Sequence, residues 1–520
     1  MNESQVIVIG AGVGGLISAA LLAARGVPVL LLEASDAPGG KMRQVTVDGA
    51  AIDGGPTVFT MRPVFDAIFA ECGARLDDYV TLRPASILAR HAWGDDRLDL
   101  FADPQASEDA IGAFAGAAEA LGYRAFRAEA QRIFQTLDAP FLRRGQTNPI
   151  GLTLRMGARG FADLCAIRPY ETLWKALGEH FRDPRLRQLF GRYATYCGSS
   201  PFLCPATLML IAHVEASGVW LVEGGMHGFA RALETLARCL GVDIRYGEKV
   251  VGITVGQGRA NGVTLASGDQ VPARAIVCNA DPAALADGLF GQAVRRAVPA
   301  VPRDRRSLAA MVWTARAGAT GFPLSRHNVF FSDDYPAEFA ALSAGHLADR
   351  PSVYVCAQDR DDGGTLTCGD MAERVQIIVN APPTGDTHPL TPAEIDRCTV
   401  RMLECLARAG LMLDLPPAST QLTTPTDFAA MYPSTGGALY GPASHGWAAS
   451  FRRPGARTRI PGLYCAGGST HPGAGVPMAA LSGSQAAACL LKDQPLTSMS
   501  RRTAMPGGTS TPSARTAASA

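Results

Sequence analysis

Three glycines near the N-terminus stand between an apolar strand and a helix, and they constrain the fold more than any other feature. The segment QVIVIG ends at Gly10, and a run of helical composition that starts around Gly12 and Gly15 follows it. A second buried strand, VPVLLLEA, brings Glu33 to its end. Gly10 permits a tight turn, Gly12 lets a pyrophosphate approach the backbone, and Gly15 allows close helix packing. Glu33 is placed to accept hydrogen bonds from a ribose hydroxyl, so this β-α-β unit predicts an α/β dinucleotide-binding fold.

A second glycine-rich approach follows the second strand. Gly40 and Lys41 come after a turn, and the segment IDGGPTVF brings Gly55, Pro56 and Thr57 soon after. Taken alone, Gly39 and Gly40 are equally typical of an ordinary loop, and Lys41 of a solvated cation. The N-terminal fingerprint fits NAD and FAD equally. A second glycine-rich segment of backbone indicates the longer of these two ligands, which is FAD.

The stretch GGSTHPGAGVPMAALSG at 467–483 brings glycines and prolines together in one loop. The strand LYCAGG leads into this loop and a helix follows it, which gives a second helix N-terminus. Bare amides near Gly467, Gly468 and Gly475 are placed to face the pyrophosphate or the flavin N1/O2 edge. His471, between a threonine and a proline, is more typical of a loop-shaping residue than of an acid or base.

Charge and cysteine pattern exclude several classes of function. The formal net charge is +1 with both signs scattered, so no nucleic-acid partner is expected. The cysteines have no metal or redox spacing, so no metal is expected. Pro205, His213 and Gly218 interrupt the apolar run 202–222, which argues against a membrane span.

Nucleophile-elbow, zinc-protease and P-loop motifs are missing from the sequence, and the catalytic residue stays unknown. A second strand-bound GxGxxG, which a nicotinamide domain would need, is missing too. The expected electron acceptor is therefore oxygen or a quinone.

Several stretches of the chain together resemble one known family. They are VIVIGAGVGGL, EASDAPGGKM, DGGPTVF, YCGSSPF, VEGGMHGFARAL, KVVGI, IVCNADP, GALYG and LYCAGGSTHPGAGVPMAALSG. The chain resembles the FAD-dependent amine oxidase and phytoene desaturase superfamily, and within it the bacterial-type carotenoid desaturases, over nearly its whole length except the tail. The core THPGAGVP is the most specific match, since it resembles the closing signature of the desaturases and not the amine oxidases.

The resemblance implies that FAD is the cofactor and adds further residues to its site. These are Ala11, Gly14, Ala34, Lys249, Val250, Asn279, Asp281, Val476 and Met478. In related desaturases an acidic residue of the helical substrate region has been suggested as the acid or base. No equivalent is identified in this sequence, so the proton acceptor stays open.

The expected fold class is α/β: a Rossmann-like FAD-binding domain assembled from discontinuous segments, with an interleaved mixed α/β substrate domain. We assign 1–85, 216–285 and 421–493 to the FAD-binding domain, and 86–215 and 286–420 to the membrane-facing substrate domain. The region from about 85 to 215 has a mostly helical pattern. The tail 494–520 is rich in Ser, Thr, Ala, Pro and Gly, which predicts disorder.

The segment GPTVFTMRPVFDAIFAECG resembles the 1-hydroxycarotenoid 3,4-desaturases of purple photosynthetic bacteria more than the phytoene desaturases. The implied reaction is the C3,C4 desaturation of an acyclic 1-hydroxy- or 1-methoxycarotenoid. Thr60, Arg62 and His213 are candidate substrate contacts, although a turn residue, a surface cation and a core histidine are equally ordinary interpretations. The expected place of work is cytoplasmic, at the surface of the inner photosynthetic membrane.

Three alternatives remain open at this stage. Phytoene desaturation is the nearest of them. An amine or porphyrinogen oxidase would keep FAD but lack the THPGAGVP sequence. A prenyl-lipid-binding escort-like protein would share the architecture without flavin, although such proteins lose parts of the nucleotide fingerprint, which is complete here.

Overall fold

A computed structural model of the chain describes residues 5–157, 160–367 and 372–493. The predicted disordered tail, 494–520, lies outside the described residues. The strands are β1 (Val6–Ile9), β2 (Val29–Leu32), β3 (Gln44–Val47), β4 (Ala50–Asp53), β5 (Phe59–Thr60), β6 (Leu82–Pro84), β7 (Ile87–Trp93), β8 (Asp96–Phe101), β9 (Val219–Val222), β10 (Asp243–Arg245), β11 (Val250–Gly256), β12 (Arg259–Leu265), β13 (Gln270–Pro272), β14 (Ala275–Cys278), β15 (Ala309–Thr320), β16 (His327–Phe330), β17 (Val353–Ala357), β18 (Glu373–Ala381), β19 (Met412–Asp414), β20 (Thr420–Thr423) and β21 (Leu463–Cys465).

Helices connect these strands and form most of the segment between β8 and β9. They are α1 (Val13–Ala24), α2 (Arg62–Glu71), α3 (Pro104–Ala115), α4 (Ala117–Leu137), α5 (Pro149–Met156), α6 (Gly160–Ala166), α7 (Leu173–His180), α8 (Pro184–Gly191), α9 (Leu210–Ala216), α10 (Gly225–Cys239), α11 (Pro282–Ala286), α12 (Tyr335–Ser343), α13 (Pro392–Arg408), α14 (Pro425–Met431), α15 (Ala449–Arg452) and α16 (Val476–Asp493).

A five-stranded parallel sheet carries the predicted β-α-β unit, in the order β10-β2-β1-β14-β21. Its central strands are short runs of buried apolar residues, which is typical of a parallel sheet covered on both faces. Side chains on one face, such as Val8, pack with helices α1, α10 and α16. Those on the other face, such as Ile7, pack with the antiparallel meander β11-β12-β13. The predicted Rossmann-like architecture from discontinuous segments is thereby confirmed.

A second, mixed sheet has the order β19-β15-β18-β17-β16-β7-β8, with β20 also paired to β15. Helix α13 covers one face of this sheet. Two of its strands, β7 and β8, correct the prediction of a mostly helical region from about 85. They form a hairpin whose turn begins at Gly94, which has a φ of 58°. Two sequence signals indicate this hairpin. Buried Leu98 and Leu100 alternate with polar neighbours, as in a strand, and a Gly-Asp turn precedes them.

The helices from α3 to α9 pack around a separate apolar core, and the run 202–222 belongs to it. That run contains a short 3₁₀ turn, the seven-residue helix α9 and strand β9. No helix within the described residues has the length and apolar character that crossing a bilayer requires.

The domain bounds stay a prediction. All strands of the parallel sheet fall in the three stretches assigned to the FAD-binding domain. The bound at 421 falls inside β20, which pairs with the mixed sheet.

Candidate functional site

The glycines of the N-terminal turn let four chain segments meet at backbone distance. A Cβ added at Gly15 would lie 2.0 Å from the Gly10 carbonyl oxygen, so Gly15 is required by the close approach of helix α1 to β1. A Cβ at Gly12 would lie 2.6 Å from Asn279 Nδ2, and one at Gly14 would lie 2.8 Å from the Gly467 amide nitrogen. These contacts bring the N-terminus of α1 together with the ends of β14 and β21.

This cradle fits the diphosphate of a dinucleotide. The first-turn amides of α1 have no acceptor within the helix, and the helix dipole adds positive potential there. Gly39 forms a bridge with Gly12, and Gly40 has a φ of 57°, a backbone conformation that favours glycine. The glycines let these segments pack closely, and the free first-turn amides of α1 are the feature that suits an anionic ligand.

Glu33 supplies the carboxylate at the end of β2. One carboxylate oxygen accepts a 2.6 Å hydrogen bond from the Ala11 amide, and the other accepts one of 2.9 Å from the Ser35 amide. The amide of Glu248 donates to the Glu33 carbonyl, which brings the start of β11 beside it. The arrangement suits a ribose hydroxyl with an adenine beyond it.

The adenine-side residues that the resemblance implied lie around this point. Ala34 and Lys249 are exposed, while Val250 begins β11 and is buried.

Two cations lie inside the molecule near the loop after β21. Arg453 is 3% exposed and donates to the carbonyl oxygens of Tyr440, Pro442 and Gly468, at 3.0, 2.7 and 3.2 Å. Lys41 donates to the Leu439 carbonyl.

Burial has the largest influence on both cations and lowers the pKa of Lys41 and of Arg453. The Asp281 carboxylate raises the pKa of Lys41 and of Arg453, but it also caps α11 and accepts from the Ser469 hydroxyl. Two cations against one carboxylate leave net positive charge beside Gly468, which fits an anionic cofactor.

The segment from Asp53 to Thr57 is fixed on both sides. Asp53 accepts from the amides of Met226 and His227 at the start of α10. The side-chain amide of Gln376, on β18, donates to the Gly55 carbonyl at 3.0 Å. A Cβ at Gly55 would lie 1.9 Å from the Lys41 carbonyl oxygen, so only glycine fits there. Both contacts hold the segment between the parallel sheet and the mixed sheet.

Thr57 continues into a chain of polar groups on the mixed sheet. Its hydroxyl lies 2.6 Å from the Tyr354 hydroxyl, which lies 2.7 Å from Nδ1 of His327. Burial is the main cause that lowers the pKa of His327, to about 3, so the imidazole is neutral.

A second buried polar group lies between α8 and α9. Glu215 is 5% exposed and accepts hydrogen bonds from the hydroxyls of Tyr193 and Tyr196, the latter at 2.9 Å. Arg192 donates to the Tyr196 hydroxyl at 2.9 Å. Burial raises the pKa of Tyr193 and of Tyr196, with Glu215 adding to the rise, so both stay protonated donors.

Comparison with known proteins identifies the family of this chain. The family model for flavin-containing amine oxidoreductases matches residues 13–491. The chain belongs to this family. The cradle, the Glu33 carboxylate and the buried cations fit FAD, so the prediction of an FAD-dependent oxidoreductase is confirmed.

This flavin oxidoreductase also has relatives of known name. It is 50% identical to the hydroxyneurosporene desaturase of Rubrivivax gelatinosus, with 99% of this chain and 98% of the relative covered. It is 47% identical to the hydroxyneurosporene desaturase of Cereibacter sphaeroides, covering 94% and 98%. A zeta-carotene-forming phytoene desaturase of Myxococcus xanthus is 29% identical, with 92% of each chain covered. The predicted resemblance to the carotenoid desaturases is confirmed.

Solved structures of flavoprotein oxidases share the fold of this flavin oxidoreductase. Putrescine oxidase with bound putrescine aligns with a TM-score of 0.57 at 16% identity, covering 94% of this chain and 99% of that one. An oxidoreductase from Methanosarcina mazei aligns with a TM-score of 0.57 at 16% identity, covering 92% and 99%. At this identity the likeness concerns the fold alone.

The three candidate substrate contacts lie on three different elements of this flavin oxidoreductase: Thr60 on β5, Arg62 on α2 and His213 on α9. Arg62 forms a 2.7 Å ion pair with Asp77, which occupies its guanidinium. Thr60 pairs with Val219 of β9. His213 lies on α9 beside the Phe134 ring, at 5.0 Å between centroids.

The loop after β21 brings the other predicted FAD residues together. Gly467 is buried and Gly475 exposed, with Val476 beginning α16. Met478 is half-buried and packs against two cores: the one between the parallel sheet and helices α1, α10 and α16, and the one formed by helices α3 to α9. The predicted FAD contacts of all these residues stay predictions. His471 donates through Nε2 to the carbonyls of Phe141 and Arg144, which is a loop-shaping role.

Three polar residues near the cofactor segments were not predicted: Arg453, Tyr354 and His327. The signal for Tyr354 is the alternation in the strand VYVCA, which places Tyr354 and Cys356 on one face. The strand HNVF, which carries His327, has no such alternation. Arg453 has no comparable signal, because its partners are backbone carbonyls from separate loops.

Proposed function

We propose that this flavin oxidoreductase introduces a C3,C4 double bond into acyclic 1-hydroxy- or 1-methoxycarotenoids. The observation that carries the proposal is the 50% identity, over 99% of the chain, to a hydroxyneurosporene desaturase. Identity to the phytoene desaturase of Myxococcus xanthus is 29%. Phytoene is therefore the alternative substrate in the test below.

The reaction removes one hydrogen from C4 as a hydride and one from C3 as a proton, and the electrons of the C3–H bond form the new double bond. FAD supplies the hydride acceptor when bound. Positive charge that develops at C4 is stabilised by conjugation with the polyene, so few polar catalytic groups are needed.

The chain's own contribution is positioning and exclusion of water. The glycine cradle and Glu33 hold the cofactor, while Lys41 and Arg453 supply fixed positive charge beside it. The apolar core of the helical region packs against Met478 and against Val58, the residue after Thr57. A long hydrocarbon held in such surroundings has its reacting carbons oriented without specific polar contacts along the chain.

Oxygen or a quinone is the electron acceptor in this proposal. Within the described ranges, the parallel sheet carries one GxGxxG turn, at Gly10–Gly15.

An apolar patch on the surface supports work at a lipid surface. Ile150 and Leu154 lie one turn apart on α5 and are 73% and 77% exposed. Tyr170 and Trp447 are also exposed, and their ring centroids lie 5.4 Å apart. Gln146 donates to the Phe451 carbonyl at 2.9 Å, which ties the loop before α5 to the segment of Trp447. We call Ile150, Leu154, Tyr170 and Trp447 the apolar patch.

A bilayer is the occupant that we propose for the apolar patch. Arg144 and Arg155 lie exposed beside it, so the patch combines apolar side chains with cations, as interfacial helices do. A carotenoid dissolved in lipid would enter from this side, at the cytoplasmic face of the inner photosynthetic membrane. The apolar run 202–222, by contrast, is mostly core.

Liposome sedimentation tests the bilayer. Leu154→Glu should release the protein from anionic liposomes, whereas Val400→Glu should not, because Val400 is 53% exposed on α13, away from the patch. Equal sedimentation of both variants would contradict the bilayer as occupant.

Pigment analysis tests the substrate. The chain is expressed in cells that make 1-hydroxyneurosporene and in cells that make only phytoene, and the carotenoids are separated by chromatography. We expect the 3,4-didehydro product in the first cells and unchanged phytoene in the second. Gly12→Val, which would press a side chain onto Asn279, serves as the cofactor-free control. Conversion of phytoene alone would overturn the proposal.

A further inference from the structure

The inner face of the mixed sheet carries polar side chains inside an otherwise apolar region. His327 lies directly opposite Cys356, and Tyr354 lies opposite Val329 two residues along, so all four side chains point to one face. The other face, with Phe330 and Val355, packs against α13. The polar face is therefore the one that meets the cofactor segment at Thr57.

One nitrogen on this face is buried without a partner. His327 is 2% exposed, and its Nε2 has no hydrogen-bond partner in the part of the chain that the structure describes. Its Nδ1 is held by the Tyr354 hydroxyl. Because a buried polar atom without a partner costs free energy, an unpaired imidazole nitrogen indicates a place for a ligand atom.

Two contacts connect His327 to the cofactor segment. Thr57 begins the chain of hydroxyls and follows Gly55, which Gln376 fixes. Thr57, Cys356 and Arg326 also line one small cavity between the cofactor segment and the mixed sheet. His327 is thus connected through Tyr354 to the side of the mixed sheet that meets the cofactor segment at Thr57.

The geometry of a 1-hydroxycarotenoid demands a polar group at that place. Only the bonds O–C1, C1–C2, C2–C3 and C3–C4 separate the oxygen from the oxidised carbons, and each is about 1.5 Å long, so the oxygen lies within about 5 Å of C4. Any side chain that recognises this oxygen must therefore lie beside the cofactor. A recognition site further along the polyene would not reach it.

Resting on the proposed function, we infer that Nε2 of His327 donates a hydrogen bond to the oxygen on C1 of the substrate. In this assignment the Thr57 hydroxyl donates to Tyr354 and Tyr354 donates to Nδ1, which leaves the ring proton on Nε2. A donor at Nε2 serves a hydroxyl and a methoxy oxygen alike, because both accept. His327 is then a specificity-determining residue, and Tyr354 and Thr57 position it.

This arrangement rejects a substrate that lacks the oxygen. A hydrocarbon end leaves Nε2 unpaired in a buried site, and such sites discriminate far more strongly than apolar pockets do. We expect the wild-type kcat/KM for 1-hydroxyneurosporene to exceed that for 1,2-dihydroneurosporene, which carries hydrogen in place of the hydroxyl, by about a hundredfold or more.

Substitutions of His327 test the inference in the FAD-loaded full chain. His327→Phe should lower kcat/KM for 1-hydroxyneurosporene and raise that for the hydrocarbon, because no unpaired nitrogen remains, so that the ratio of the two falls about a hundredfold. His327→Gln, which keeps an N–H donor at the distance of Nε2, should restore part of the preference. Tyr354→Phe, which frees the tautomer, should lower the preference about tenfold.

The matched control is His91→Phe. His91 is also buried, at 1% exposure, and lies on the same sheet face, but its Nδ1 is paired with the Leu98 carbonyl. This variant should keep the wild-type substrate ratio.

The outcomes separate this inference from the proposed function. Wild-type protein that does not convert 1-hydroxyneurosporene overturns the proposed function and this inference with it. Wild-type conversion together with an unchanged substrate ratio in His327→Phe overturns the inference alone. If His327→Phe does not retain FAD, the ratio of kcat/KM for the two substrates in Tyr354→Phe tests the inference instead. That substitution removes only one oxygen atom and disturbs the packing least.

Discussion

Gly483 of α16 packs directly against Gly14 of α1: a Cβ added at Gly483 would lie 2.4 Å from the Gly14 carbonyl oxygen. The two helices that begin at the glycine-rich loops therefore approach each other at backbone distance. Because Gly14 also lies against Gly467, one close contact sets the geometry of both loops.

Gly483→Val should force α16 away from α1. We expect a loss of about 3 kcal/mol in the free energy of unfolding, together with loss of bound FAD. Denaturant unfolding and the flavin absorbance of the purified protein measure the two effects. Gly145→Ala is the control, since a Cβ there meets nothing within 4 Å. Normal FAD content in Gly483→Val would show that the helix contact is not needed for the cradle.

Glu33→Gln removes the negative charge at the ribose position. In the wild type the amides of Ala11 and Ser35 donate to a carboxylate. In the variant they would donate to a neutral amide oxygen, which accepts more weakly. We expect the Kd for FAD to rise about ten- to a hundredfold, measured by titration of the apoprotein. Asp36→Asn, a substitution of an exposed neighbour, should leave the Kd unchanged. A Kd within twofold of wild type in Glu33→Gln would argue against Glu33 as a ribose ligand.

Arg453→Met should leave three carbonyl oxygens without the donor that holds them. These belong to Tyr440, Pro442 and Gly468. We expect the free energy of unfolding of the FAD-loaded protein to fall by about 3 kcal/mol. Arg452→Met changes the exposed neighbour and should have no effect. Equal stability of both variants would mean that the loops hold their conformation without the guanidinium.

Glu338 should make stability depend on pH. Burial, opposed by hydrogen bonds from Ser352 and Asn380, raises the pKa of Glu338 to about 7, from 4.5. Between these two values the folded state keeps a proton that the unfolded state has released. The stabilisation is therefore complete below pH 4.5 and is lost as the pH rises through 7.

Glu338→Gln removes this dependence because the amide does not titrate. Relative to wild type, the variant should gain about 2–3 kcal/mol in the free energy of unfolding between pH 5 and pH 8. Urea unfolding across that range measures the difference, with the exposed Glu404→Gln as control. A constant difference between variant and wild type would contradict a raised pKa.

Local sequence patterns were sufficient for the cofactor side of the molecule. The β-α-β unit is contiguous in sequence, so the spacing of Gly10, Gly15 and Glu33 was enough to predict where they lie in the fold. The helix after the closing loop was predicted for the same reason. The hairpin of β7 and β8 was missed although its Gly94 turn is local, because the helical composition of the following residues dominated the wider window.

The polar face of the mixed sheet could not be predicted in the same way. Thr57, His327 and Tyr354 lie far apart in sequence and meet only through strand pairing and through the contact between the two sheets. Register between distant strands depends on tertiary packing. The roles of Arg453 and Glu338 could not be predicted for a related reason. Their shifted pKa values come from burial, which the residue type alone does not indicate.

The central claim is that an acyclic 1-hydroxycarotenoid is the hydride donor. Its most direct test mixes the purified FAD-loaded protein with carotenoid-containing liposomes in the absence of oxygen and follows the visible absorption band of the flavin in a single turnover. We predict that 1-hydroxyneurosporene bleaches the band while its own spectrum gains one conjugated double bond, and that phytoene leaves the band unchanged. Bleaching by phytoene with no response to 1-hydroxyneurosporene would contradict the account.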